Sequence, residues 1–287
     1  MVTATGDVRA TGDVPATVNA YAKLTLSLRV TGVRPDGYHL LDAEMVSVDL
    51  ADSLTFEPGT ALHVVDEVVG GLGTAEVPTG PDNLVARALA AAGRRAAVRV
   101  VKRIPSGSGL GGGSADAAAV LRWAGCADLS VAARLGSDVP FCLRGGRARV
   151  TGAGEVVEAL GFEARRFVLV VPPLAVSTAA VYRAWDERQG ARHRAAGGER
   201  GDHHDHGNDL EAAALDVVPV LARWRDRLGE ITGVRPRLAG SGSAWFVEGG
   251  PEDLGLEGCD AVELSGTQAP LVAVRTVPAV GLPLPEG

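Results

Sequence analysis

Apolar and polar positions alternate over much of Thr17 to Val30, which predicts a half-buried strand carrying Lys23. Gly32 to Gly37, with Pro35 and Asp36, marks a turn. Ala43 to Leu50 predicts a second strand, with shorter ones at Ser53–Phe56 and Leu62–Val65. Asp82 to Ala92 is an Ala-rich helical pattern with Asp82 as its expected cap. A β-type run, Ala97 to Ile104, leads into a glycine-rich stretch, and a small-residue helix is expected from Ser114 to about Ala124. Next come a short helix, Leu129 to Leu135, ended by Gly136, an ordered turn at Ser137–Phe141, and a hairpin from Arg147 to Val157. The second half predicts a strand at Phe167–Val171, a helix at Thr178–Glu187, and a polar, aperiodic mobile loop from about 188 to 207. A helix over Asn208–Leu228, broken near Pro219, and strands within Arg237–Val247 and Leu271–Val277 complete the pattern. The near-duplicate Thr-Gly-Asp-Val segments within residues 1–15 read as a slack leader.

The stretch Pro105, Ser106, Gly107, Ser108, Gly109, Leu110, Gly111, Gly112, Gly113, Ser114 organises the rest. Its glycines admit left-handed dihedrals, so successive N–H groups can turn toward one point. With Ser114 as the expected N-cap, the following helix adds its unpaired N–H groups and positive dipole end. The product is an anion cradle whose natural guest is a nucleotide phosphate. Gly107, Gly109 and Gly112 also satisfy the dinucleotide fingerprint. That motif wants a strand running into the first glycine and an acid ending a second strand about 20 residues on. Pro105 and Ser106 intervene, and Asp128 lies in a turn. No Gly-Lys-Ser or Gly-Lys-Thr occurs, which excludes a Walker loop.

Composition narrows the classes. The 287 residues favour two modest cores over one, and a net charge of −7 argues against a nucleic-acid surface. No apolar run approaches the roughly 20 residues of a membrane span. Three cysteines without a Cys-x-x-Cys pair point to buried thiols in a reducing compartment, so a cytoplasmic location is expected. His203, His204 and His206 beside Asp202 and Asp205 offer metal-ligating atoms, but on a solvated loop without a fixed frame, so no metal residues are assigned. Only two of the 28 basic residues are lysine, Lys23 and Lys102. Lysine supplies a compact, mobile point charge where a planar guanidinium would not fit, and phosphate chemistry is one such place.

The glycine cradle, Ala22-Lys23-Leu24 and Ala239-Gly240-Ser241-Gly242-Ser243 together resemble the three motifs of the GHMP kinases. Asp36-Gly37-Tyr38-His39 and Gly136-Ser137-Asp138-Val139-Pro140-Phe141 are similar to the branch acting on a cytidine-diphosphate-linked methylerythritol in non-mevalonate isoprenoid synthesis. The resemblance implies an α+β fold of two domains. A ribosomal protein S5 domain 2-like unit (1–164) would precede a ferredoxin-like unit (165–287), the last strand returning toward the first, with the active site in the cleft between. It implies ATP with Mg²⁺, a small-molecule substrate, no nucleic-acid or membrane partner, and a monomer or homodimer.

By that resemblance Asp138 is the base and Lys23 its charge partner, roles that phosphoryl transfer needs. The alternatives are a turn cap for Asp138 and a solvated strand position for Lys23. The cradle from Pro105 to Ser114 would hold the triphosphate, with Asn83 and Lys102 near the nucleotide. Lys102 as an exposed strand residue is the other reading. Thr25 stands where the family usually has Asn, and Met45 where an aromatic is common. Tyr38 and His39 would recognise cytosine, with Thr178 and Tyr182 at further cytidine-side positions and Tyr182 completing an aromatic sandwich, or else serving as a helix anchor. Gly240, Ser241 and Gly242 offer a second N–H nest for the substrate diphosphate. Another alcohol-phosphorylating GHMP kinase, or a non-catalytic nucleotide-binding relative, remains open.

Overall fold

Two long antiparallel strands, β1 (Ala16–Val33) and β2 (His39–Glu57), form the spine of the computed structural model, which describes residues 16–68, 80–195 and 207–280. The leader and the His203–His206 segment lie outside these residues. β2 is one strand where the pattern predicts two. The interruption at Asp52 is not a turn: Asp52 is fully buried and pairs in register with Ala20, so the polar break marks a buried ion pair. β1 slips register at Tyr21/Lys23, Thr25/Ser27 and Val30/Gly32. Such bulges re-aim side chains, and here Lys23 and Thr25 are both buried.

The second edge of β2 is shared by β5 (Arg147–Gly152) along residues 41–46 and β4 (Ala97–Lys102) along residues 53–57. β3 (Leu62–Asp66) runs parallel to β4, with α1 (Leu84–Ala91) between them in sequence, and β6 (Val156–Ala159) extends β5. α2 (Gly112–Trp123) packs on β1, and its buried alanines at 115 and 117–119 let helix and sheet approach closely. α3 (Leu129–Leu135) and α4 (Val139–Arg144) follow. α4 replaces the turn expected at Ser137–Phe141. Its residues Val139 to Leu143 are all buried, so packing rather than local signal makes the helix.

The second sheet is antiparallel throughout. Its order is β10 (Ala261–Leu264), β11 (Thr267–Arg275), β7 (Arg166–Val170), β9 (Trp245–Glu248), β8 (Arg237–Leu238). Phe167 and Phe246 meet edge-on at 5.8 Å in its core. β10 is an element the pattern does not show. It closes on β11 through Ser265-Gly266, both at positive φ (53° and 80°), the geometry of a type I′ hairpin turn.

α5 (Thr178–Ala195), α6 (Glu211–Val217) and α7 (Val220–Thr232) accompany this sheet, the last two separated at Pro219 as expected. α5 runs past the boundary predicted at Glu187, so residues 188–195 are helical rather than loop. Gln, Arg and Ala are good helix formers even where no apolar period marks them. Beyond β11 the chain crosses to the first sheet: Thr276 bridges Val48, and the Val277 N–H donates to the Ser47 carbonyl at 2.9 Å.

Candidate active site

Backbone hydrogen bonds draw the three motifs together. The Lys23 N–H donates to the Leu110 carbonyl at 3.0 Å, and the Ala244 N–H donates to the Ser108 carbonyl at 3.0 Å. The cradle is thus threaded between β1 and the turn joining β8 to β9. Gly109, at φ 81°, passes so close that a Cβ there would lie 2.0 Å from the Ala239 carbonyl oxygen. At Gly111, φ 72°, a Cβ would press on Lys23 Cγ at 2.8 Å. These two positions require glycine on both conformational and steric grounds.

Gly111, not Ser114, is the N-cap of α2, and the helix starts at Gly112. The left-handed φ that ends the cradle also opens the helix, so Ser114 sits inside the first turn, half-buried and facing the cleft. Asn83 rather than Asp82 caps α1: its Oδ1 accepts from the Val85 N–H at 2.7 Å.

A cleft of about 830 Å³ opens over this junction. Lys23, Tyr38, His39, Pro105 to Gly109, Gly111 to Ser114, Asp138, Thr178, Tyr182, Gly240 and Ser241 all line it. Lys23 Nζ lies 3.4 Å from Asp138 Oδ2 and donates to Thr25 Oγ1 at 3.1 Å. Asp138 occupies the N-cap position of α4, yet its side chain makes no capping bond and remains one-third exposed toward the cleft. The capping alternative is thereby excluded, as is the solvated strand position for Lys23, which is only 5% exposed. Thr178 and Ser241 join the walls through a 2.8 Å hydroxyl–hydroxyl bond.

Five expected site residues do not line the cleft. Leu110 is core, Thr25 is buried behind Lys23, and Gly242 packs against Leu238 and Val176. Asn83 is occupied as a cap. Lys102 is buried, not an exposed strand residue, and its ammonium binds Asp52 and, at 2.7 Å, Asp116. Burial pulls the Lys102 ammonium down, but the two carboxylates win and hold it above its usual range. Asp52 also accepts from the N–H groups of Arg103 and, at 2.8 Å, Ile104, the last residues before the cradle. A Cβ on Gly112 would sit 3.3 Å from Lys102 Nζ. The triad therefore lies under the cradle, tying β2 and the end of β4 to α2.

Tyr182 and His39 lie in contact on the wall of the cleft. His39 and Tyr182 stack on each other, ring centroids 4.5 Å apart at 30°, which leaves no gap for a base between them. Burial, then the charge of Asp138, pushes the Tyr182 phenol far above its usual range, so it stays neutral. Tyr38, mostly exposed at the rim, lies under the Arg34 guanidinium at 5.4 Å.

The sequence reading missed Asn208, whose amide donates to the carbonyls of Leu238 (3.0 Å) and Gly240 (2.7 Å) while its Oδ1 accepts from the Leu210 N–H. Its place as an Asx residue just before a helix was the available signal. Asp52 and Asp116 were also missed, because a buried carboxylate leaves no periodic trace.

The mixed α+β fold, with an anion cradle opening a helix beside a lysine–carboxylate pair, defines a small-molecule kinase of the GHMP class. Residues 83–146 match the GHMP kinases N terminal domain. The 4-diphosphocytidyl-2-C-methyl-D-erythritol kinase of Pelotomaculum thermopropionicum is 40% identical over 257 residues, spanning 80% of this chain and 88% of that protein. The kinase of the same name from Cereibacter sphaeroides is 35% identical over 275 residues, or 88% of this chain and 94% of its own length. A crystal structure of 4-(cytidine 5'-diphospho)-2C-methyl-D-erythritol kinase superposes with a TM-score of 0.64 at 33% identity, covering 91% of this chain and 98% of that one. This chain belongs to the 4-diphosphocytidyl-2-C-methyl-D-erythritol kinase family.

Proposed function

We propose that this protein transfers the γ-phosphoryl group of ATP to the 2-hydroxyl of 4-diphosphocytidyl-2-C-methyl-D-erythritol. The observation that carries this is the convergence of Lys23 and Asp138, 3.4 Å apart, in one cleft that also holds the cradle and the Tyr38-His39 pair. The cradle N–H groups and the first turn of α2 hold the triphosphate. Asp138 takes the hydroxyl proton as the acceptor oxygen bonds to the γ-phosphorus and the bond to the β,γ-bridging oxygen breaks, releasing ADP. Lys23, held by Thr25, orients that carboxylate and balances negative charge growing on the transferred group.

The Ser114 hydroxyl, which lines the cleft beside the cradle, fits a Mg²⁺ ion carried in on the nucleotide, since Mg²⁺ takes one or two protein oxygens beside phosphate and water. When bound, it neutralises phosphate charge. Tyr38 offers a face for the cytosine, His39 its hydrogen bonds, and Gly240 with Ser241 the N–H groups for the diphosphate. The six-stranded half (to residue 164) is assigned as the S5 domain 2-like unit and the five-stranded half (from 165) as the ferredoxin-like one, the active site lying between. A phosphate-transfer assay against a panel of alcohols, including homoserine, mevalonate and the cytidine-linked methylerythritol, tests the reading. Turnover confined to the last is expected, and preference for another alcohol overturns it.

A further inference from the structure

Asn208 holds the turn joining β8 to β9 from behind. The segment 207–209 is itself pinned along β1. The Leu28 N–H donates to the Gly207 carbonyl at 2.7 Å, the Asp209 N–H to the Leu28 carbonyl at 2.9 Å, and the Val30 N–H to Asp209 Oδ2 at 2.9 Å. From there the Asn208 side chain, only 8% exposed, reaches the Gly240 carbonyl at 2.7 Å and the Leu238 carbonyl at 3.0 Å. Both of these partners are acceptors and its third, the Leu210 N–H, is a donor, so only one orientation of the amide fits. Resting on the acceptor substrate read above, we propose that Asn208 is a positioning residue: it fixes the Gly240–Ser241 peptide so that its N–H faces the cleft and binds the acceptor's diphosphate.

The turn is closed by the Gly242 N–H on the Ala239 carbonyl at 2.9 Å. That bond leaves out the peptide between Gly240 and Ser241, the central one, whose turning over converts one β-turn type into another. Gly240, at φ 59°, adds the freedom of a residue without Cβ. This peptide is trans and planar, so its carbonyl and its N–H point to opposite sides. Asn208, which does not line the cleft, takes the carbonyl, and Ser241, which does, presents the N–H on the other side. Among the described residues that N–H has no protein partner, whereas the Ser241 hydroxyl is held by Thr178. Turned over, the same peptide would set a carbonyl oxygen against a phosphate oxygen. An amide at 208 prevents this by holding the carbonyl back.

Full-length protein carrying Asn208→Ala, or Asn208→Asp, which keeps the shape and loses both donors, tests this. The KM for the cytidine-linked acceptor should rise about tenfold or more, the weight of one hydrogen bond to a charged oxygen. The kcat should stay within about threefold and the KM for ATP within about twofold. A residue serving only the fold would lower Tm and the active fraction, and leave the KM of the active molecules unchanged. Nitrogen-15 NMR adds a readout without turnover. With ADP present to fill the cradle, inorganic pyrophosphate should shift the Ser241 amide resonance of the wild type, and about tenfold more should be needed in Asn208→Ala. An unchanged acceptor KM, an equal rise in the KM for ATP, or a wild-type Ser241 resonance indifferent to pyrophosphate would overturn the proposal. If the wild type phosphorylates no cytidine-linked acceptor, the substrate assignment fails instead, and the Ser241 resonance still decides whether Asn208 aims this N–H.

Discussion

The two lysines of the chain look alike in sequence, each set in an apolar β-run, yet they do different things. Lys23 points into the cleft with Thr25 and Asp138 around its ammonium. Lys102 lies under the cradle between two buried carboxylates. What separates them is what lies across from each strand, and that is not written near either residue. Asp138 differs again, since it occupies a cap position without capping and keeps its carboxylate for the cleft. Asp138→Asn keeps the shape and removes the proton acceptor. Turnover should fall by about 10²–10⁴, with ATP affinity by calorimetry within about twofold. Undiminished turnover would remove Asp138 as the base.

At the scale of elements the cradle is held from both sides. Above it, the turn joining β8 to β9 comes so close that Gly109→Ala forces a methyl into the Ala239 carbonyl and strains a positive φ. This variant should lose several degrees of Tm by calorimetry and about tenfold or more in ATP affinity, because the loop must move to relieve the overlap.

Below it, burial first, Lys102 opposing and Asp52 reinforcing, puts the Asp116 carboxyl up to about 7. Between its ordinary value of 3.8 and about 7 the folded chain keeps this proton and the unfolded chain has released it. The contribution of Asp116 to stability is therefore complete below that window and declines as pH rises through it. Asparagine cannot titrate. The stability of Asp116→Asn relative to wild type, from urea unfolding at about pH 4.5 and about pH 7.5, should increase with pH. A difference constant with pH would contradict this placement of the proton.

Across the whole molecule, the segment that leads into β7 and the end of the chain tie the two sheets together. Thr276 Oγ1 accepts from the Arg165 N–H at 3.0 Å and donates to the Glu163 carbonyl at 2.7 Å, while Asp49 of β2 holds Arg275 through its N–H and its guanidinium. Thr276→Val keeps the shape and leaves a part-buried N–H and a carbonyl without this partner. A loss of about 1–3 kcal/mol in urea unfolding is expected, whereas a change below about 0.3 kcal/mol would mean that these bonds are replaced by water. The cleft lies where residues from both halves meet: His39 of the first is held against α5, and the turn after β8 passes Lys23 so closely that a Cβ on Gly240 would lie 3.2 Å from Nζ.

The sequence by itself determined the strands of alternating polarity, the helices with end signals, the cradle, and through the ordered motifs the family, with Lys23 and Asp138 as the pair proposed to react. The elements and the cradle rest on local stereochemistry, glycine where φ must be positive and a side-chain period of two or near four, whereas the family and the pair rest on the resemblance of the ordered motifs. Tertiary structure alone decided that Asp52 continues β2 instead of ending it and that Lys102 supports the cradle from below. It also decided that Tyr182 stacks on His39, with Asp186 behind. In each case the deciding partner is far away in sequence, and a buried polar group takes its meaning from that partner rather than from its neighbours along the chain.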